Sequence, residues 1–161
     1  GMDVTDMTAC VLDRPRHEGI IESLRSVGAR VALITDGDVA GVIVTTNPHT
    51  GIDLYVGQGG APEGVLAAAA LKCVGGQMLG RLVFRNDDER KRAERTGITD
   101  FDRTYSLNEL ASGDTVFCAT GVTDGSMLSG VKSADGRVHT HTLVMTSLDG
   151  MVRYVRSDHK V

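Results

Sequence analysis

Three short clusters hold most of the side chains able to do chemistry: Asp13-Arg14-Pro15-Arg16-His17, Asp36-Gly37-Asp38 and Gly59-Gly60-Ala61-Pro62-Glu63. Arg14 and Arg16 each present a guanidinium fork, whose geometry matches two oxygens of a phosphate. Gly59 and Gly60 let backbone N–H groups approach an anion, and a helix beginning near Pro62 adds the positive end of its dipole. This combination suits a phosphorylated ligand. Glu63 breaks the pattern, because a carboxylate beside a phosphate repels it unless a divalent cation lies between them. Glu63 is therefore a candidate metal ligand, with stabilisation of a helix N-terminus as the plainer alternative. Asp36-Gly37-Asp38 could equally be a helix cap, and the glycines a tight turn.

Other candidates carry less. His139-Thr140-His141 puts two imidazoles on one strand face, a partial metal set with no third ligand nearby in the sequence; two exposed hairpin residues is the simpler reading. Gly121-Val122-Thr123-Asp124-Gly125 reads as a tight loop after a strand. Cys10, Cys73 and Cys118 share neither metal-ligand nor disulfide-framework spacing and lie in apolar segments. They are expected in the core, and a reducing cytoplasm is the expected compartment. Gly57-Gln58-Gly59-Gly60 misses the G-x-G-x-x-G register, which argues against a dinucleotide.

The elements that must position these clusters follow from periodicity. Ala9–Leu12 is a short apolar strand, and Pro15 fits the first position of a following helix, where its missing N–H costs nothing. Ile20, Ile21, Leu24 and Val27 recur at helical spacing, and Gly28 is a natural stop. Arg30–Ile34 is a near-continuous apolar strand, and Thr35-Asp36-Gly37-Asp38 offers cap chemistry to a segment over Val39–Thr45. Ile52–Val56 reads as a third strand, and Glu63–Val74 as an alanine-rich helix closed by Gly75-Gly76. Three strand–helix units within about 70 residues predict an α/β domain with a mainly parallel sheet. In such sheets ligands bind beyond the carboxyl ends of the strands, where all three polar clusters fall.

The second half is less regular. A strand is expected within Gln77–Phe84, a charged helix with a solvated face over Asn86–Thr96, a short helix opened by the Ser106–Glu109 capping box, and a buried strand over Thr115–Ala119. Val131–Ser133 and Val138–Met145 flank Ala134-Asp135-Gly136, and Met151–Val155 follows Asp149-Gly150, so the tail reads as antiparallel hairpins.

With 161 residues and no linker, repeat or low-complexity tract, residues 1–161 read as a single domain. At 41% hydrophobic residues the chain can fill a core without disulfides or a structural metal. Lys and Arg number 17 against 21 Asp and Glu, a net charge of −4 spread along the chain, which disfavours nucleic acid as a partner. The longest apolar block, Val65–Leu71, is about a third of a membrane span, so no membrane association is expected. Gly1-Met2 reads as a remnant of tag removal ahead of a start codon.

Four blocks carry a resemblance: Leu12-Asp-Arg-Pro-Arg-His17, Ile34-Thr-Asp-Gly-Asp-Val-Ala40, Gly59-Gly-Ala-Pro-Glu-Gly64 and Ala119-Thr-Gly-Val-Thr-Asp-Gly125. In order and spacing they resemble the class II fructose-1,6-bisphosphatases, from the start of the chain to Arg153–His159. The resemblance implies the layered αβαβα architecture of the sugar and inositol phosphatases, here as their C-terminal domain with antiparallel C-terminal hairpins. It also implies Mn²⁺- or Mg²⁺-dependent hydrolysis of the 1-phosphate of fructose 1,6-bisphosphate, in gluconeogenesis and glycerol metabolism. Position by position, Glu63 corresponds to a catalytic-metal ligand, Arg14, Pro15 and Arg16 to substrate contacts, and Asp36, Gly37, Asp38 and Gly60 to residues lining the sugar.

Members of that family are roughly twice this length, and their other acidic metal ligands belong to an N-terminal half that this sequence lacks. One carboxylate cannot hold a catalytic metal pair, and no catalytic base is assignable. The chain is therefore expected to be a substrate-binding C-terminal half, inactive alone, with the missing half as partner and a homo-oligomer as the assembly. A freestanding, non-catalytic sugar-phosphate-binding or subunit-association module is the alternative.

Overall fold

A computed structural model describes residues 1–160. Strand β1 (Thr8–Leu12) lies between β2 (Arg30–Ile34) and β3 (Leu54–Tyr55) in a parallel sheet of order β2-β1-β3. Successive side chains of a strand point to opposite faces. Ala9, Cys10, Val11 and Leu12 are nevertheless all buried, so both faces of β1 are covered. Helix α1 (Glu18–Ser26) follows β1 through a turn of 3₁₀ helix that opens on Pro15, as the sequence requires. The short helix α2 (Asp38–Ile43) lies against the other face, where Gly41 meets Ile34 and Tyr55. A β-carbon at Gly41 would fall 2.7 Å from Ile34 Cδ1, so glycine here allows helix and sheet to touch.

Two expected boundaries shift for physical reasons. Helix α2 is shorter than Val39–Thr45 because the hydroxyls of Thr45 and Thr46 donate back to the carbonyls of Val42 and Ile43, tightening Val44–Thr46 into 3₁₀ helix. Strand β3 is two residues rather than Ile52–Val56. Pairing to β1 still continues on either side, since Asp53 N donates to Thr8 O and Val56 N to Cys10 O. Strand β2 has the expected bounds but sits at the sheet edge, which leaves Leu33 43% exposed rather than buried.

Helix α3 (Ala61–Cys73) is the central element, with Ala67, Ala68, Ala70, Leu71 and Cys73 buried. Alanine favours the helix and its small side chain admits neighbours on several sides. One side packs Ala67 and Leu71 with Val42, Tyr55, Met78 and Leu107. The other packs Ala70 and Cys73 with Ile43, Phe117, Leu128, Leu143 and Met145 of an antiparallel sheet. Helices α2 and α3 thus form a layer between two sheets.

That second sheet has the order β6-β8-β7, with β9 also on β8. It contains β6 (Val116–Thr120), β7 (Lys132–Ala134), β8 (Arg137–Thr146) and β9 (Val152–Lys160). Positive φ at Asp135 and Gly136 makes the tight β7–β8 turn, so the antiparallel tail is present as read. Strand β9 runs well past Val155, because its polar second half pairs with Arg137–His141. Strand β6 is half-buried rather than buried. Phe117 faces the core, while Val116 and Cys118 face outward, so Cys118 is exposed and not in the core expected for it.

Beside the helical turn Leu107–Leu110, β4 (Leu79–Arg81) is all that forms of Gln77–Phe84, and it pairs with β5 (Thr104–Ser106), a strand too short to stand out in the sequence. Helix α4 (Asp87–Arg95) is capped by Asn86 and solvated, as its charge dictates. Helix α5 (Leu107–Leu110) carries both bonds of the expected capping box. No helix among the described residues is long and apolar enough to cross a membrane.

Candidate functional site

In a sheet of order β2-β1-β3 the chain leaves β1 toward β2 and returns on the far side of β1. The carboxyl ends of β1 and β3 therefore flank a topological switch point, the usual crevice for a ligand. The loop after β1 carries Arg14, Pro15, Arg16 and His17, and the loop after β3 carries Gly57–Gly60 and opens α3. These loops are bonded together. Arg16 Nε donates to Gln58 O at 2.8 Å, and the fully buried His17 ring contacts the same peptide unit.

The two arginines differ in use. Arg14 Nη1 donates to Asp13 O at 2.7 Å and Nη2 to Thr35 O at 2.8 Å, tying the exits of β1 and β2. Arg16 spends only Nε on the protein. Among the described residues its two terminal nitrogens have no protein acceptor, which leaves the fork open to solvent.

Gly37 adopts φ +78°, a left-handed turn that glycine tolerates, and occupies the cap position of α2 itself. Asp36 Oδ1 accepts from Gly37 N and Asp38 Oδ1 from Val39 N, so neither carboxylate caps α2 in the ordinary way. Asp38 Oδ2 points to the β3 loop, where a β-carbon on Gly59 would lie 3.3 Å from it. The Glu63 carboxylate folds back over Gly60, and a β-carbon there would overlap Glu63 Oε2 and lie 3.1 Å from Cδ. Glycines 59 and 60 thus make room for two carboxylates at the mouth of the loop, where the N-terminus of α3 begins.

Tyr55 belongs to this neighbourhood, although the sequence offered no reason to single it out. Burial raises its phenol pKa above the ordinary value, the charges of Asp38 and Cys10 raise it further, and Arg16 opposes them. The phenol stays protonated and remains a hydrogen-bond donor, with its oxygen 3.0 Å from where a β-carbon of Gly57 would stand. His17 and Gln58 were likewise without a role in the sequence. Their only signal was the position of His17 at the end of the Asp13–His17 cluster.

Glu63 has no metal-binding company. Among the described residues, no three His, Cys, Asp or Glu side chains come together to hold a metal ion, so these residues alone do not fit a catalytic metal. The two histidines of β8 have other partners: His139 Nδ1 pairs with Asp158 Oδ1 at 2.5 Å, and His141 Nδ1 accepts from Ser129 N at 3.0 Å. The loop over Gly121–Gly125 is locked by its own backbone, since Gly125 N donates to Leu128 O and a β-carbon on Gly130 would lie 2.6 Å from the Thr123 carbonyl carbon.

In class, this is an α/β fold whose parallel-sheet switch point is flanked by an open guanidinium, two carboxylates and a helix N-terminus. The chain belongs to the family of bacterial, glpX-encoded fructose-1,6-bisphosphatases, whose family model matches residues 1–159. It is 40% identical to a "D-fructose 1,6-bisphosphatase class 2/sedoheptulose 1,7-bisphosphatase" of Synechococcus sp. (strain JA-3-3Ab), over 98% of this chain and 49% of that protein. A protein of the same name from Prochlorococcus marinus (strain NATL1A) is 38% identical over 99% of this chain and 52% of its own length. The chain spans about half the length of the curated relatives it matches.

Proposed function

We propose that residues 1–161 are the sugar-phosphate-binding half of a fructose-1,6-bisphosphatase and hydrolyse nothing by themselves. The observation that carries this reading is the switch-point crevice, where Arg16 holds an open fork beside the loop that starts α3. Arg14, Pro15 and Arg16 would contact a phosphorylated sugar, with Asp36, Gly37, Asp38 and Gly60 along its hydroxyls. A carboxylate accepts hydrogen bonds from sugar hydroxyls and a guanidinium donates to phosphate, so the mixed charge suits a ligand with both groups.

Glu63 would supply one ligand to a divalent metal, Mn²⁺ or Mg²⁺, that neutralises the phosphoryl group being transferred. The remaining carboxylates would come from the half of the relatives' length that this chain does not span. The outer face of the β6-β8-β9 sheet supports that division. Val116 is 68% exposed, Cys118 and, two strands away, Val155 are exposed on the same face, and no helix among the described residues covers them. We assign this face to the other half or to a second copy of the enzyme, in the cytoplasm.

A phosphatase assay decides between this and a freestanding, non-catalytic sugar-phosphate-binding or subunit-association module. The chain with Mn²⁺ or Mg²⁺ and fructose 1,6-bisphosphate should release no phosphate, whereas the same sequence joined to the family's other half should. Turnover by the isolated chain at the rate of an intact relative would overturn the proposal.

A further inference from the structure

Among buried side chains, His17 is the one polar or charged residue of the described core, with no exposed surface. Its bonds define its form. Nδ1 lies 2.6 Å from Leu12 O, a group that can only accept, so Nδ1 carries a proton. Nε2 lies 2.9 Å from Gln58 N and 3.0 Å from Gln58 O, so in the neutral ring, with its proton on Nδ1, Nε2 accepts from the Gln58 N–H. The ring is therefore a rigid brace between the last residue of β1 and the loop after β3. The carbonyl of Gln58, in the next peptide unit, accepts from Arg16 Nε at 2.8 Å and lies 3.0 Å from the same His17 Nε2.

From this chain of bonds we propose that His17 is a positioning residue: it holds Gln58 where the Gln58 carbonyl anchors Arg16 Nε and so fixes the open Arg16 fork beside the loop after β3. Arg16 is exposed, and only its Nε is anchored. A long side chain held at one point samples fewer orientations before it meets a ligand, which strengthens binding without a new contact. Burial serves the same end, since water cannot replace Leu12 or Gln58 as partner of a ring with no solvent-exposed surface. The aiming of Arg16 at a phosphate rests on the sugar-phosphate reading, whereas the brace itself does not.

The test uses the whole chain, fructose 1,6-bisphosphate as probe, and two substitutions that split the brace. Asparagine places an amide N–H near the position of Nδ1 and loses the bond to Gln58. Glutamine reaches the position of Nε2 and can still accept from Gln58 N–H. His17→Asn should weaken binding about tenfold, the scale of ordering one long side chain, and His17→Gln should restore most of it. Arg16→Ala should abolish the difference, so that the Arg16→Ala/His17→Asn double variant binds as Arg16→Ala does. Unchanged affinity in folded His17→Asn, or additive losses in the double variant, would overturn the proposal.

If the wild-type chain binds no sugar bisphosphate, the sugar-phosphate reading fails. The brace is still read by hydrogen exchange, with the Gln58 amide protected in wild type and released in His17→Asn; equal exchange in both would overturn it. If His17→Asn does not fold, nitrogen NMR of the wild-type ring decides. A proton on Nδ1 with Nε2 bonded to Gln58, as acceptor from its N–H or donor to its carbonyl, supports the brace, and a ring protonated on Nε2 alone overturns it.

Discussion

The Glu63 carboxylate occupies the space a side chain on Gly60 would need. The backbone at Gly60 is ordinary, with φ −69° and ψ 148°, so an alanine there meets no conformational strain, only the Glu63 carboxylate. The obstacle is the far end of a flexible side chain and can move. Gly60→Ala should therefore leave the melting temperature within a few degrees of wild type, the cost being a poorer helix cap of about 1 kcal/mol. It should displace Glu63, and in the full-length enzyme kcat should fall at least tenfold if Glu63 holds a metal. Thermal unfolding and metal-dependent phosphate release measure the two effects separately.

Arg16 and Glu63 should separate kinetically in the full-length enzyme. A phosphate that is not cleaved carries the same charge in ground and transition states, so Arg16→Ala should chiefly raise KM. A charge-assisted contact of ~1.5–3 kcal/mol makes that rise about 10–150-fold. Glu63→Gln keeps the shape but weakens a metal ligand, and should lower kcat with little change in KM. Steady-state kinetics on both variants give the result directly; a fall confined to kcat in Arg16→Ala would reverse the assignment.

The core between α3 and the antiparallel sheet should respond to truncation as a tightly packed one does. Leu143 is 1% exposed and sits among Phe117, Met145 and Ala70. Leu143→Ala should cost ~2–5 kcal/mol, from lost transfer energy and the cavity left behind. At ~2–4 °C per kcal/mol for a chain of this size, calorimetry should show a fall of several degrees or more. Leu148→Ala, at a residue 72% exposed, should leave the melting temperature nearly unchanged.

Acid should act on the capping box. Ser106 N–H and hydroxyl bonds, then the Arg103 guanidinium, lower the Glu109 carboxyl pKa from 4.5 to about 2. A carboxyl lowered in the folded state stabilises it above its unfolded pKa, and that contribution is lost as pH falls toward the folded value. The melting temperature of wild type should exceed that of Glu109→Ala near neutral pH. The gap should narrow from about pH 4.5 downward and be smallest near pH 2.

The sequence made the first half of the chain legible because each strand ended in a polar cluster and each helix carried its own stop. Gly28, at φ +86°, and Pro15 stand where turn chemistry requires them. Strand β5 was illegible, since Thr104–Ser106 has no alternation to read and exists through pairing with β4. Cys118 was misplaced because an apolar run such as Val116–Ala119 reads alike whether one face is covered or two. At the site, spacing drew attention to Arg16 and Glu63 but could not show that Arg14 spends its fork on two backbone carbonyls. Nor could it show that Tyr55 and His17 join them, because burial and pairing across about 40 residues leave no local signature.

Thiol labelling checks the layer arrangement independently. Cys10 and Cys73 are buried, with their thiol pKa raised by desolvation, whereas Cys118 is exposed on the outer face of β6. A maleimide should modify one thiol per folded chain and all three in denaturant. Mass spectrometry of the labelled peptides should find the folded-state adduct on Cys118.

The central claim is that the crevice between the β1 and β3 exits binds a sugar bisphosphate through Arg16. Calorimetric titration of fructose 1,6-bisphosphate into the isolated chain tests it without requiring catalysis. Saturable one-to-one binding, at least about tenfold weaker in folded Arg16→Ala, is the result this account predicts. No saturable heat with the wild-type chain, or an affinity unchanged in Arg16→Ala, would contradict it.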